Sequence, residues 1–342
     1  MEKEKHLSVV LAGRNDDYGG NFKNRLRNCV LWTYHHLCRQ AYSSEIVFVN
    51  YNPLPDPSIE TFIDWPESND KVRLRIITIN NEVHQTILGE RPMIKNVPVL
   101  EYIAKNAGIR RSTGNFILVM NPDIIIHHRL FENLNYLKAS NYYRTNRFDF
   151  DNDGYHENNL YTKEPSFDSI TRIWLKGHII YPKNLTWQKY RRMLLVNSMK
   201  NIWKGHNEKI KFLLDLLSIT IYTHNVEFSY HCNASGDFML ASREMFHRLR
   251  GYRENSPVAL HTDSIFVIQC AAAGLKEKIF FYPIFHKEHE RRYNTMKADT
   301  SLRQFYLEFQ KLAKEMLSGR TSYILNNEDW GLKKFELPEL AI

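Results

Sequence analysis

Asp123 is the residue whose surroundings point most directly to chemistry. It lies in the segment Asn121-Pro122-Asp123, immediately after the apolar run Phe116–Met120. A carboxylate at the end of a buried strand costs free energy unless it faces a cleft or holds a cation. Two interpretations remain open: a ligand for a divalent metal ion, or an Asx-type turn, for which Asn-Pro-Asp is also well suited.

Two late histidines are the second group that could bind a metal. His286 and His289 lie three residues apart, after the strand-like run Lys278–Tyr282. If the segment is helical, this spacing puts both imidazoles within reach of one face, and imidazole suits Mn²⁺ as a further ligand. His286 is the better candidate because it follows the strand closely. The alternative is an ordinary surface pair in a run of charges.

The elements that would position Asp123 form a repeated strand–helix pattern. Four short apolar runs are typical of buried strands, and helical patterns separate several of them. The runs are Leu7–Leu11, Glu45–Asn50, Leu74–Ile79 and Phe116–Met120. This alternation predicts an α/β fold with a mostly parallel, doubly wound sheet flanked by helices. Because ligands bind beyond the carboxyl ends of such strands, the polar loops 14–20, 50–56 and 121–123 should converge on one crevice.

Composition and cysteine usage restrict the class of protein. With 43% hydrophobic and 25% charged residues, the 342-residue chain is ordinary globular protein rather than disordered. The four cysteines lie far apart without a CxxC pair, so a disulfide framework and a zinc ribbon are both disfavoured. The N-terminus is too charged for a signal peptide, and no apolar run reaches the ~20 residues of a membrane helix. We therefore expect a cytoplasmic protein, with peripheral contact to a membrane as an option.

Positive charge is concentrated in one stretch. Residues 172–212 hold ten Lys or Arg and one acid, whereas the formal net charge of the whole chain is +8. Aromatic residues such as Trp174, Trp187 and Trp203 are interleaved with these charges. The stretch could contact an anionic membrane surface, a phosphate-bearing acceptor or nucleic acid, or it could be a solvated helical insertion. Nucleic acid ranks last because no helix-turn-helix, zinc-finger or RNP pattern accompanies it.

The order of several short motifs resembles a known enzyme family. The segments RNDDYGG, NPDI, SGDFMLASRE, HTDS and HKEH follow one another along the chain. In this order they resemble the family-2-like, GT-A-fold glycosyltransferases, in particular a polysaccharide-building subgroup of bacteria and large DNA viruses. The resemblance covers residues 7–282 except for an insertion at about 152–230. It implies a Rossmann-like GT-A sheet and transfer of a sugar, with inversion, from a nucleoside diphosphate donor to a carbohydrate hydroxyl.

The resemblance also implies roles for individual residues on the donor side. Asp123 matches the position that holds Mn²⁺ or Mg²⁺ and the donor diphosphate, and His286 matches the late histidine. Asn121 departs from the acid usual at its position, which makes metal dependence less secure than in a DxD enzyme. The donor-binding positions implied are Arg14, Asn15, Asp16, Asn50, Asn52, Arg110, Arg111 and Asn121. For Arg110 and Arg111 a solvated helix end is an equal alternative to contact with the phosphates.

Two acids compete for the role of catalytic base. Inverting transfer needs a carboxylate that takes the proton from the acceptor hydroxyl. Asp263 matches the family position of that base, at the start of a helix, although HTDS would also suit a helix cap. Asp237 is the competitor and could instead orient donor or acceptor hydroxyls.

The motifs divide the chain into three functional parts. We expect a nucleotide-sugar-binding half at 1–125, an acceptor-binding half at 126–300 that includes the basic insertion, and a C-terminal helix and tail at 301–342. The expected partners are the donor and a carbohydrate or lipid-linked glycan acceptor, without nucleic acid. Trp330 in the tail could cover the site as a lid or stack on a sugar, or it could be a buried anchor.

Other functions are weaker interpretations of the same residues. A sugar nucleotidyltransferase would need a GxGxR pattern, which RNDDYGG lacks, and a dinucleotide-dependent oxidoreductase would need GxGxxG after a strand. A catalytically inert carbohydrate- or nucleic-acid-binding protein remains open, because Asn121 replaces an acid and the insertion is basic.

Overall fold

Four parallel strands form the centre of the sheet in a computed structural model of the protein, which describes residues 6–89, 97–151, 163–202, 220–222, 230–255, 260–289 and 299–342. They are β1 (Leu7–Gly13), β2 (Ser44–Tyr51), β3 (Val72–Ile79) and β4 (Phe116–Val119). Their order is β3-β2-β1-β4, with all three pairs parallel. These runs are largely apolar because strands covered on both faces by helices need no polar side. The predicted α/β fold with a parallel central sheet is confirmed.

Helices cover both faces of this centre. In chain order the helices are α1 (Phe22–Cys38), α2 (Ile59–Phe62), α3 (Asn81–Gly89), α4 (Glu101–Arg111), α5 (Leu130–Asn133), α6 (Trp187–Ile202), α7 (Arg243–Leu249), α8 (Thr262–Ala272) and α9 (Asp299–Leu317). Successive residues of a strand point to opposite faces of the sheet. In β1, Val9 and Leu11 therefore pack in the same core as α1, whereas Val10 and Ala12 pack in the core that contains α4.

Gly108 allows α4 to lie directly on the sheet. A β-carbon at this position would lie 2.7 Å from Val10 Cγ1 and 2.9 Å from Val49 Cγ2. Both valines are fully buried, so neither can move aside cheaply. We expect Gly108→Ala to lower the free energy of unfolding by about 1–3 kcal/mol, the usual cost of overpacking a core, measured by urea denaturation. Gly89→Ala is the control, since a β-carbon there meets no atom within 4 Å, and an equal loss in both variants would contradict the packing argument.

The second half of the chain extends the same sheet with mixed pairing. Its strands are β5 (Ile124–Ile126), β6 (Asn141–Phe150), β7 (Ile170–Leu175), β8 (His178–Tyr181), β9 (Thr220–Tyr222), β10 (Met239–Ser242), β11 (Lys276–Lys287) and β12 (Glu339–Ala341). Strand β10 lies antiparallel between β4 and β6, and β6 also pairs in parallel with β11. Strand β11 in turn pairs antiparallel with β5. Both predicted halves thus contribute to one sheet, while their functional division remains a prediction.

The basic stretch is only partly helical. Strands β7 and β8 continue the sheet beyond β6 as antiparallel neighbours, and α6 is the helical part. Strand β9, which follows the stretch, pairs antiparallel with β8. Ile173 and Leu175 in β7 are buried, so this portion is not the solvated helix that the sequence analysis left as one alternative. Much of the predicted insertion, at 152–162, 203–219 and 223–229, lies outside the described residues.

The C-terminal segment is part of the fold. Helix α9 packs on α8 through Phe309, Ala313 and Met316, and β12 adds an antiparallel strand beside β3. Trp330 is 3% exposed and belongs to the core that contains α4, so it is an anchor of the tail rather than a lid. Among the helices of the described ranges, each is too short or too polar to cross a bilayer.

Candidate functional site

The loops that follow β1 and β2 are held together at the carboxyl edge of the parallel strands. Asn15 is 1% exposed and donates from Nδ2 to the carbonyl oxygens of Leu54, at 2.8 Å, and Pro57, at 2.6 Å. Its Oδ1 accepts from the Leu54 N–H at 2.7 Å. Because both polar atoms of the amide are engaged by protein, Asn15 shapes the crevice rather than offering its side chain to a ligand.

The loop after β1 is also tied to Asp123. Arg25 projects from α1 and donates from Nη1 to Asp123 Oδ2 at 2.6 Å, while its other nitrogens contact the carbonyl oxygens of Tyr18 and Gly20. Arg25 and Asp123 are 1% and 7% exposed, respectively. The loops after β1, β2 and β4 therefore converge, as the sequence predicted, and Arg25 is a site residue that the motifs did not reveal.

Asp123, His286 and His289 form a group that could hold a metal ion. One ligand atom from each lies within 4.8 Å of the others. His289 Nε2 is 3.1 Å and His286 Nε2 is 3.9 Å from Asp123 Oδ2. The antiparallel pairing of β11 with β5 places His286 opposite Ile124 and so beside Asp123. Both late histidines reach the carboxylate, although the sequence favoured His286 alone.

The chemistry of this group fits a divalent cation. Asp123 Oδ1 is buried and accepts no hydrogen bond from any residue in the described part of the chain. Burial by itself would raise the pKa of Asp123, but the hydrogen bond from His289 and the charges of His286 and Arg25 hold that pKa well below its usual range. One ionised carboxylate with a free oxygen and two imidazoles are a donor set suited to first-row divalent metals.

A buried carboxylate behind His286 orients its ring. Asp149 is fully buried, and its Oδ1 lies 3.4 Å from His286 Nδ1, on the ring edge opposite Asp123. Asp149 also accepts from Arg172 Nε at 2.6 Å and from Trp174 Nε1 at 2.7 Å. Burial opposes ionisation of Asp149, but its close contact with His286 and the charge of Arg147 keep its pKa well below the usual range. A carboxylate that holds one nitrogen of a histidine leaves the other nitrogen as a metal ligand.

Replacing this carboxylate should weaken metal binding without touching a ligand. We expect Asp149→Asn to lower the affinity for Mn²⁺ about 10- to 100-fold, the usual effect of losing such a partner, as measured by calorimetry. Asp168→Asn, on the short 3₁₀ turn that precedes β7, is a matched control that should leave affinity unchanged. Unaltered Mn²⁺ affinity in a folded Asp149→Asn protein would show that Asp149 does not orient the ligand.

Arg147 connects this carboxylate to Asp237. It pairs with Asp149 through Nε at 2.7 Å and with Asp237 Oδ2 through Nη1 at 2.5 Å. The other oxygen of Asp237 accepts from Asn121 Nδ2 at 2.7 Å, and Asn121 Oδ1 accepts from Lys105 Nζ at 2.6 Å. Asn121 thus joins a buried cation to a buried carboxylate, a bridging role that its amide can perform and a second acid could not.

Asp263 lies in the first turn of α8, beside Gly236. Its Oδ2 accepts from the Gly236 N–H at 2.6 Å, and its Oδ1 accepts from the Ser264 N–H at 2.8 Å. The N-cap of α8 is His261, so Asp263 does not have the predicted alternative role of N-cap. Within the described residues no cationic side chain forms an ion pair with Asp263, unlike Asp237.

The remaining predicted donor residues lie along the same edge. Arg14 Nη1 is 3.7 Å from Asp16 Oδ2, and Asp16 Oδ1 accepts from the Tyr18 N–H at 3.1 Å. Asn52 has a left-handed φ of 47° and donates to the Pro98 carbonyl at 3.1 Å. Asn50 is buried, and its Oδ1 has no hydrogen-bond donor among the residues that the structure describes. Among the residues predicted to bind the sugar donor, Asn50 therefore has a side-chain oxygen that can accept a further hydrogen bond.

Arg110 and Arg111 are a correction to the sequence analysis. They end α4, which leads into the amino end of β4, whereas the site lies at the carboxyl ends of the strands. Arg110 donates to the Trp330 carbonyl at 2.9 Å, and Arg111 donates to the Gly331 carbonyl at 2.8 Å. Both guanidinium groups bind the C-terminal tail, so neither belongs to the site.

Comparisons with known proteins give structural likeness at low identity. No protein-family model and no curated protein matches the sequence. The fold is similar to a crystal structure of GalNAc-T7 with UDP, GalNAc and Mn²⁺, at 11% identity and a TM-score of 0.46, covering 92% of this chain and 50% of that one. It is also similar to residues 1–349 of S. aureus TarS, at 11% identity and a TM-score of 0.44, covering 91% of this chain and 65% of that one. The chain thus spans half to two thirds of these two chains.

Proposed function

We propose that the protein is a metal-assisted glycosyltransferase, which transfers a sugar from a nucleoside diphosphate donor to a carbohydrate hydroxyl. The observation that carries the proposal is the Asp123–His286–His289 group, with its free buried oxygen, at the carboxyl edge of a parallel sheet. That edge is where α/β sheets bind their ligands. The motif order that resembles family-2-like enzymes gives independent support from the sequence.

The described residues have distinct roles in this proposal. Asp123, His286 and His289 would hold Mn²⁺ or Mg²⁺, and such an ion supplies positive charge that stabilises a departing diphosphate. Asp149 fixes the His286 ring, and Arg25 fixes the Asp123 carboxylate and the loop after β1. Asn50, near the carboxyl end of β2, would accept an N–H of the donor base on its buried, unbonded oxygen.

Asp263 acts as the base toward the acceptor. Its carboxylate is held by two backbone N–H groups and by no cation of the described residues, so it can accept a proton without breaking a buried ion pair. Attack by the acceptor hydroxyl on the anomeric carbon, from the face opposite the diphosphate, inverts the configuration. The proton moves from the acceptor oxygen to Asp263 as the bond to the diphosphate oxygen breaks.

The acceptor side faces the second half of the chain. Helix α6 exposes Arg192, and Lys183 is exposed just before its first turn. These cations suit an acceptor that carries phosphate, such as a lipid-linked glycan, and they permit peripheral contact with an anionic membrane in polysaccharide synthesis.

The test is release of nucleoside diphosphate from UDP-, GDP- and dTDP-sugars, with Mn²⁺ and with a chelator. Slow hydrolysis of one donor that needs the metal is the expected result and identifies the donor. Calorimetry with the free nucleoside diphosphates runs alongside it. Nucleotide binding without turnover, with acceptor glycans present, would favour the inert binding protein that Asn121 leaves open, and absence of both binding and turnover would refute the proposal.

A further inference from the structure

A second cluster of ligating side chains lies away from Asp123, where β5 ends. It consists of His127, His128 and Glu164, whose ligand atoms lie within 4.8 Å of one another. Glu164 Oε1 is 2.8 Å from His128 Nδ1 and 3.6 Å from His127 Nδ1. One carboxylate oxygen thus faces a nitrogen of each of two consecutive histidines.

The two imidazole rings are held side by side by their surroundings. Their centroids are 4.6 Å apart and their planes differ by 22°. His127 is buried, with its ring stacked on Tyr282 at 4.7 Å and edge-on to Trp187 at 5.2 Å. His128 and Glu164 are more exposed, so an ion could reach the cluster from solvent. Because this packing fixes the His127 ring, binding of an ion would mainly require movement of the more exposed His128 and Glu164.

The nitrogen of His127 that faces Glu164 is Nδ1, which lies 3.6 Å from Glu164 Oε1. The same Nδ1 accepts from the Arg129 N–H at 3.2 Å, and a bound ion would replace that hydrogen bond.

We propose that His127, His128 and Glu164 form a second metal site, separate from Asp123 and suited to Zn²⁺. Two imidazole nitrogens and one carboxylate oxygen are a common protein donor set for zinc, with a fourth position left to water. Glu164 precedes β7, whereas the histidines follow β5, so the ion would cross-link two segments 36 residues apart in the sequence. An ion at this site would fasten the segment before β7 to the end of β5.

The test is zinc binding by the full chain, with Zn²⁺ and Co²⁺ as probes. All measurements are made on the Asp123→Asn protein. This substitution weakens the other candidate metal site, so the outcome does not depend on the proposed transferase activity. In that background calorimetry should give one Zn²⁺ per chain, and Co²⁺ should give the visible absorption of a tetrahedral site. Adding Glu164→Gln or His128→Ala should weaken zinc binding at least about 10-fold and remove the Co²⁺ spectrum.

The control is Glu132→Gln, a neutralised acid on α5 close to the same edge of the sheet. It should retain both zinc binding and the Co²⁺ spectrum. Circular dichroism and Tm without metal check that each variant is folded. Equal zinc affinity in the Glu164→Gln, His128→Ala and Glu132→Gln proteins would overturn the proposal, and so would a folded Asp123→Asn protein that binds no Zn²⁺.

Discussion

Asp123→Asn should lower metal-dependent donor turnover about 10³-fold, because the charge of a bound metal stabilises such a transition state by several kcal/mol. The amide keeps the shape of the side chain. It removes the negative charge that, together with the imidazoles of His286 and His289, would bind the cation. Mn²⁺ affinity should fall with the rate, because a neutral oxygen is a poor replacement for a carboxylate in this donor set. Diphosphate release and Mn²⁺ calorimetry on the same preparation measure both effects.

The same substitution also changes an ion pair, and this must be separated from the loss of the metal. Arg25 is 1% exposed and loses the charged partner of its Nη1. Breaking a buried pair costs about 3–5 kcal/mol, and the remaining amide oxygen, which can still accept that hydrogen bond, should reduce the cost. The Tm of Asp123→Asn should therefore fall, and the assays belong well below it.

The matched control is Asp64→Asn on the outside of the molecule. Asp64 pairs with Arg27, two residues along from Arg25 on α1, but it is 83% exposed. Exposed pairs contribute little, so Tm, Mn²⁺ affinity and turnover should all stay at wild-type values. An Asp123→Asn protein that is folded and still hydrolyses donor in a metal-dependent way would place the metal elsewhere.

The parallel half of the sheet was predictable because its signals are local. Each strand is a short apolar run, and each run ends at polar residues. Neighbouring parallel strands bring those ends together whatever the details of packing. The convergence of Asn15, Leu54 and Asp123 followed from this logic. Helix α4 ends just before the amino end of β4. The same argument therefore places Arg110 and Arg111 at the opposite edge of the sheet from the site.

The buried network behind the metal group was not predictable in the same way. Asp149 reaches His286 only because β6 pairs with β11 in a register that places these residues opposite each other. They lie far apart in the sequence, and no local pattern specifies that register. Lys105 forms an ordinary i,i+4 pair with Glu101, which is typical of a solvated helix face. Its burial and its contact with Asn121 depend on packing of α4 against the sheet.

The contacts of the two competing acids distinguish their roles more sharply than their positions in the sequence. Asp237 has one oxygen on Arg147 and the other on Asn121, and it is 4% exposed. Protonation would remove the charge that stabilises Arg147 in the interior, so Asp237 is poorly suited to accept a proton during turnover. Asp263 receives only backbone N–H groups among its described contacts and is partly exposed. These contacts support the proposal that Asp237 holds the network in place and that Asp263 accepts the proton.

Asp263→Asn should lower sugar transfer about 10²- to 10⁴-fold, the usual contribution of a general base, while Mn²⁺ and nucleotide affinities stay at wild-type values. The amide oxygen still accepts one of the two backbone hydrogen bonds and no ion pair is broken, so Tm should fall less than in Asp237→Asn. Asp237→Asn is the matched comparison: it leaves Arg147 paired with Asp149 alone, so Tm should drop and any loss of activity should accompany that drop. Transfer assays with donor and acceptor at saturation, together with thermal unfolding, separate the two cases. If Asp237→Asn loses transfer at an unchanged Tm while Asp263→Asn keeps it within about 10-fold, the roles of the two acids are reversed.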